Sequence, residues 1–216
     1  MVLKQSVMMC RSKILLLTML FTLAYGIVHD QVTVRLCVEY FTVAHPPLFT
    51  TTSPALLGLG WGVAAAGPVG FLIGSLLASV ATSPGLPPVS GRQLASRLGG
   101  VFGLTACAAA GMGVLGWFLA RLDLVRVPQE WSAAIAPERH AAFMAVWFAH
   151  LASYAVGLGG GVALLHRIWR ERGRPRRVWL WLPAGRGAWM RLTVLGFALV
   201  GVGVWRWGAC LHARLG

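Results

Sequence analysis

The chain has 216 residues, 57% hydrophobic and only 12% charged, with a mean hydropathy of +0.70 and a net charge of +13. Soluble domains carry about 25% charged residues, and here the apolar residues fall in long runs, so a water-soluble fold is excluded in favour of a membrane one. The positive charge does not imply nucleic acid, because the basic residues lie between the apolar runs, where the positive-inside rule puts them; four cysteines without a CxxC exclude zinc-finger and thioredoxin patterns.

The first apolar run, 14–28, follows Lys4, Arg11 and Lys13. A basic start before a short apolar stretch also suits a signal peptide, with a passable cleavage site at Thr22-Leu23-Ala24. A retained helix is the preferred reading, since apolar residues continue through Val32, Val34, Leu36 and Val38. Residues 32–43 alternate in polarity as a strand does. They equally continue the first helix, with Arg35 and Glu39 as an i,i+4 pair. His45-Pro46-Pro47 then ends any helix.

A second span is expected at 55–81, with Ser53 as N-cap, Pro54 at the first helical position and a kink at Gly67-Pro68. Residues 82–91 form a Pro/Gly/Ser loop. Arg92 and Arg97 precede a third span at 98–119, and a mixed-charge loop leads to a fourth at 141–165. The segment 166–191 carries eight arginines, and its tryptophans suit interfacial anchoring. A fifth run at 192–209, interrupted by Arg206, either spans or lies in the interface. The expected fold is therefore all-α: a polytopic transmembrane helix bundle in a single integral membrane domain, 1–216, with about five spans, or four if the first is cleaved.

If all five runs span, the N-terminal tail, the loop at Arg92 and the 166–191 loop share one side with thirteen basic residues, against six on the other. That asymmetry orients the N-terminus to the cytoplasm, as a multi-pass protein of a bacterial inner membrane. Cys37 and Cys210 then fall on the outer side, where a disulfide between them is expected to persist. Cys10 and Cys107 are expected to stay reduced.

GxxxG spacing recurs at Gly58/Gly62, Gly70/Gly74, Gly99/Gly103 and Gly157/Gly161. Such spacing lets helix backbones approach closely in a membrane, and it speaks to assembly rather than chemistry. Gly111 to Gly116 matches G-x-G-x-x-G, but it lies inside an apolar run instead of after a strand, which argues against dinucleotide binding.

Two polar groups are candidates for chemistry. His29, Asp30, Gln31, Glu39 and His45 crowd the outer end of the first helix and are metal-ligand and proton-transfer types. Their spacing matches no zinc signature. A hydrogen-bonded cap on the bundle is the simplest reading, a metal or proton site the sharper one. In that cap, residues 29–42 are expected to fold back on the bundle mouth, with Asp30 hydrogen-bonded there and Glu39 close to an arginine. Separately, His150 sits inside the fourth span with Ser153 and Tyr154 on nearby faces, and an ionisable group at that depth is by default a functional candidate. A neutral imidazole bridging helices is the structural alternative. His150 and His166 lie 16 residues apart on one helix and cannot supply both axial ligands of a haem. Arg167, Arg170, Arg172, Arg174, Arg176 and Arg177 form a basic loop suited to anionic lipid head groups, besides setting topology.

The segments Tyr25-Gly26-Ile27-Val28-His29-Asp30-Gln31 and Glu39-Tyr40-Phe41-Thr42 resemble a YG-x-x-HDQ…EYFT signature in a family of uncharacterised bacterial multi-pass membrane proteins. The resemblance covers residues 25–62 and the rest only by hydropathy. It implies that the polar stretch 29–42 is the distinguishing feature of such proteins. It carries no catalytic residue over.

The sequence thus leaves three function classes open. The leading expectation is a non-catalytic structural or partner-binding membrane protein, without a cofactor and with the bilayer, a protein partner or a second copy as its contacts. The alternatives are a small transporter or channel component, and a membrane enzyme with a metal at His29, Asp30, Glu39 and His45.

Overall fold

A computed structural model describes residues 9–84 and 89–172, all within one compact unit, Met1–Arg174. Four long helices dominate: α1 (Arg11–Leu36), α3 (Pro54–Ala81), α4 (Gly91–Arg121) and α6 (His140–Glu171). Two one-turn helices, α2 (Glu39–Thr42) and α5 (Gln129–Ser132), lie in the connections. All four long helices are long and apolar enough to cross a membrane, and no strand occurs among the described residues. The chain is an all-α polytopic bundle. The run at 192–209, Cys210, Arg206 and the arginines from Arg174 onward lie outside the described residues.

Each helix buries one narrow face and exposes large apolar side chains on the rest, among them Leu16, Leu20, Phe71, Leu104 and Leu151. In water such surface would be untenable; in a bilayer it is the solvent-matched face. Burial therefore does not drive association here, and close backbone packing has to. The α1–α3 and α4–α6 pairs are the two main packing units. On α3 the stripe Gly58, Gly62, Ala66, Gly70, Gly74 faces Thr18, Thr22, Gly26 and Asp30 of α1. An added Cβ at Gly62 would stand 2.7 Å from the Ile27 Cα, and one at Gly26 would stand 2.7 Å from the Gly62 carbonyl oxygen. These glycines are packing surfaces. Gly157 and Gly161 make ordinary contacts, whereas Gly103 faces open space and Gly99 nearly so. In the G-x-G-x-x-G run, Gly113 and Gly116 lie against the Ala145 and Met144 carbonyls of α6, so that match is helix packing within a continuous helix.

The helices run alternately up and down. At one end Arg11 donates to Ser79 Oγ, Arg97 pairs with Glu171, and Arg172 donates to the Val80 and Ser83 carbonyls. The start of α1, the end of α3, the start of α4 and the end of α6 thus share this end. At the opposite end Arg139 reaches Glu39 and the Leu36 carbonyl.

Several local expectations need correction. The polarity alternation over 32–43 is not a strand: α1 runs on to Leu36, and a tight turn leads into α2. Arg35 does not pair with Glu39 but donates to its own helix at the Gln31 carbonyl and side chain. Ser53 sits at the N-cap of α3 without a side-chain cap bond, its N–H donating to Thr51 Oγ1 instead. Ser90 is the side chain that caps, accepting from the Gln93 N–H at 3.2 Å, and α4 starts seven residues before the expected 98. Cys37 is a buried thiol that donates to Glu39 Oε2, and its expected disulfide partner Cys210 lies outside the described residues.

Candidate functional site

The centre of the bundle is built on Asp30. It lies six residues from the end of α1, about 9 Å inside it at 1.5 Å per residue, and is 6% exposed. A buried carboxylate costs several kcal/mol unless partnered. Its partner comes from α6: His150 Nε2 lies 3.2 Å from Asp30 Oδ1, and His150 is 4% exposed. The other ring nitrogen, Nδ1, lies 2.9 Å from the Val146 carbonyl of its own helix. A carbonyl only accepts, so Nδ1 carries a proton. Nε2 then either donates as the second N–H of an imidazolium or presents a lone pair to a protonated Asp30. Either way the pair holds one exchangeable proton between Nε2 and Oδ1.

His29 joins the pair from the next position on α1. Its ring lies 4.6 Å from that of His150, edge to face. One ligand atom from each of His29, Asp30 and His150 lies within 4.8 Å of the others. Around them Tyr25 stacks on His29 and shares a 2.7 Å hydrogen bond with Ser153. Ser153 Oγ is 3.5 Å from His29 Nε2. Tyr154 lines the same cavity, its ring 6.3 Å from that of His150. The cavity has a volume of about 90 Å³ and continues between the four long helices toward Thr18 and Leu164. Thr18, Thr22 and Thr105 each donate their hydroxyl proton to a carbonyl four residues back, so this length of wall offers no free donor.

Above the centre sits an aromatic plug. Tyr40 of α2 lies 4.5 Å from the His150 ring and 4.8 Å from that of His45, which in turn rests 4.6 Å from Trp61. His45 Nδ1 donates to the Tyr40 carbonyl at 2.8 Å. Burial holds the His45 imidazole below its ordinary range. The plug is pinned by Glu39, which accepts from Arg139 Nε at 3.1 Å. Burial is the largest single influence and would raise the Glu39 carboxyl, but the hydrogen bonds from Arg139, its own backbone N–H and Cys37, with the Arg139 charge, together leave it below the ordinary glutamate range.

The expected outer group therefore divides. His29 and Asp30 belong to the centre. His45 belongs to the plug, and Glu39 is committed to Arg139. Gln31 ties α1 to α3 by donating to the Ala55 carbonyl at 2.7 Å. Glu39 is indeed beside an arginine and Asp30 is hydrogen-bonded, but Asp30's partner lies inside the bundle instead of at its mouth. His150, expected as a separate intramembrane group, completes the centre. Tyr25 and Tyr40 escaped notice as neighbours of it; the four-residue spacing of Tyr25 and His29 on one helix face was the available signal. In the basic segment, Arg167 pairs with Glu171 and Arg172 is turned inward, leaving Arg170 exposed.

No protein-family model matches the chain, and neither curated proteins nor solved structures give a match. The fold and site define a class, a multi-pass helical membrane protein with a buried His/Asp centre.

Proposed function

We propose that the chain is a metal-binding membrane protein that holds a divalent first-row transition ion at His29, Asp30 and His150. The observation carrying this reading is the convergence of the three ligand atoms within 4.8 Å in a buried site. Two ligands of one ion at bond lengths of about 2.1 Å stand about 3.0–3.5 Å apart, and the 3.2 Å between His150 and Asp30 already fits. The His29 ligand atom lies within 4.8 Å of the other two, so it has to close by up to about 1.3 Å to share the ion. Two imidazoles and one carboxylate suit zinc, iron(II) or cobalt(II) and leave positions open. The Val146 carbonyl fixes the His150 tautomer as an outer partner does for metal-bound histidine. The segments that carry the YG-x-x-HDQ…EYFT resemblance supply Tyr25, His29, Asp30, Glu39 and Tyr40, which agrees with a site-based reason for that signature.

A second reading, a non-catalytic structural role, is favoured by the closed hydrogen bonding of the His150–Asp30 pair. In that reading the pair only clamps α1 to α6. The transporter reading is weaker, because the threonines lining the inner cavity have spent their protons on their own helices. Cobalt(II) titration of the purified chain separates the first two. One cobalt per chain with visible d–d absorption, lost in Asp30→Asn and His150→Gln and kept in His140→Gln, supports the metal centre. An identical cobalt spectrum in Asp30→Asn overturns it, as does the absence of binding to the wild type.

The location follows from charge. The basic end of the described bundle, with Arg11, Lys13, Arg92, Arg97, Arg167 and Arg170, faces the cytoplasm of a bacterial inner membrane, and exposed arginines there attract anionic lipid. Reporter fusions at residues 90, 130 and 176 should read inside, outside and inside. An outside reading at 176 overturns the orientation.

A further inference from the structure

Resting on the metal-centre reading, we infer that the groove between α1, α4 and α6 binds a membrane-dissolved amphiphile whose neutral, oxygen-bearing head reaches the centre at His29.

The groove has a volume of about 700 Å³, within the range of about 300–1,000 Å³ typical of small-molecule sites. Its depth comes from small residues on α4, namely Ala106, Ala109, Ala110 and Gly113, while Trp117 and Phe118 wall one end. All of these lie in candidate spans, so the medium that fills the groove is the bilayer. Tyr25 and His29 line both this groove and the inner cavity, which makes them the wall between lipid and centre. Asp30 and His150 face only the inner side.

Access from the aqueous outer face is closed by the plug. Tyr40 lies against the His150 ring with His45 edge-on behind it, and the Glu39–Arg139 pair anchors the short helix that carries Tyr40. The lateral route is the one that ends on a candidate metal ligand. The lining also selects the head. It contains no lysine, arginine, aspartate or glutamate, so a charged head group finds no counter-ion along the groove and must be desolvated before it could reach the centre. The Thr33 hydroxyl is spent on the His29 carbonyl at 3.0 Å, and the Tyr25 hydroxyl is engaged with Ser153. His29, whose hydrogen-bond contact is Ser153 at 3.5 Å, is shared by the groove and the centre, so a head group that follows the groove inward ends against it. A hydroxyl or a quinone carbonyl on an apolar body has this chemistry.

The test uses the full chain in phosphatidylcholine nanodiscs with three photoreactive C16 probes bearing the same chain diazirine: an alcohol, an alkane and a carboxylate. Cross-links are mapped by mass spectrometry, and cobalt is titrated in the same preparation. The alcohol should label α1 and α4 groove residues about tenfold more than either comparator, as expected where a polar group must be met. Competition by unlabelled hexadecanol against decylbenzoquinone tells a hydroxyl head from a carbonyl one. Ala110→Trp, which fills the groove away from the centre, should remove the labelling and leave cobalt binding intact. Equal labelling by alcohol and alkane overturns the inference, as does labelling insensitive to Ala110→Trp. Cobalt binding without groove labelling sinks the amphiphile and spares the metal centre. Labelling without cobalt sinks the metal centre and leaves the groove as an amphiphile site.

Discussion

Gly62→Ala tests how the packing of α1 on α3 supports the centre. The new Cβ would lie 2.7 Å from the Ile27 Cα, 2.8 Å from the Ile27 nitrogen and 2.9 Å from the Gly26 carbonyl carbon. All three are backbone atoms, so no side chain can swing aside. Ordinary contact begins at 3.4 Å, which requires the helices to part by about 0.7 Å locally. Overpacking of this kind costs about 1–3 kcal/mol, against a gain of about 1 kcal/mol for alanine over glycine in a helix. The expected net loss is about 0–2 kcal/mol. Asp30 lies one helical turn beyond Gly26, and a displacement of 0.7 Å is enough to take its 3.2 Å contact with His150 past hydrogen-bonding range. Cobalt affinity should then fall about tenfold, as it does when outer support of a metal ligand is lost. Gly103→Ala is the matched control, since nothing lies within 4 Å of its added Cβ. It should be neutral or stabilising by up to about 1 kcal/mol. The assay is reversible unfolding in mixed detergent micelles, with cobalt titration on the same samples. If Gly62→Ala proves as stable as Gly103→Ala and binds cobalt as tightly as wild type, the close approach of α1 and α3 is refuted.

Asp30→Asn should keep the folded yield, because an asparagine amide can donate to the His150 Nε2 lone pair, while Asp30→Leu leaves that nitrogen buried without a partner, costs about 1–3 kcal/mol and lowers the yield; equal yields for all three chains would remove any structural contribution of the pair. Glu39→Gln should cost about 0.5–1 kcal/mol at neutral pH by removing the charge opposite the part-exposed Arg139. Because the folded Glu39 carboxyl lies below its ordinary value of 4.5, its contribution is present above that value and is lost as pH falls through the lowered one; unfolding midpoints of wild type and Glu39→Gln should converge on acidification, and a constant gap down to pH 3 would refute the pairing. Burial and the Glu39 contact push the Cys37 thiol up to about 12, whereas the Ser12 contact and nearby backbone lower that of exposed Cys10. At pH 8, N-ethylmaleimide should modify Cys10 in the folded protein and reach Cys37 only after denaturation; rapid labelling of Cys37 in folded protein would contradict its burial.

Composition and periodicity alone determined that this is a helical membrane protein. A helix in hydrocarbon must satisfy its own backbone and present apolar side chains, so the apolar runs separated by Pro54, by the 82–91 loop and by Pro137 mark the first four of the five expected spans without reference to their neighbours, and the fifth, 192–209, lies outside the described residues. The importance of Gly58, Gly62, Gly70 and Gly74 was also visible as a pattern, because four-residue spacing puts them on one face; that Gly103 faces open space was not, since spacing does not say which face meets a partner. Local ambiguity over 32–43 was settled by tertiary contacts: Val34, Cys37 and Phe41 enter the outer core together with Trp61 and Phe143, which a strand in that position would not allow. The centre itself depended wholly on the tertiary structure. Asp30 and His150 are 120 residues apart and each was legible only as a costly buried group in need of a partner. Which partner each found was decided by the arrangement of α1 and α6, and the same arrangement sent Glu39 to Arg139 across a separation of 100 residues. Sequence states which groups cannot stay unpaired in a membrane; helix packing decides with whom they pair.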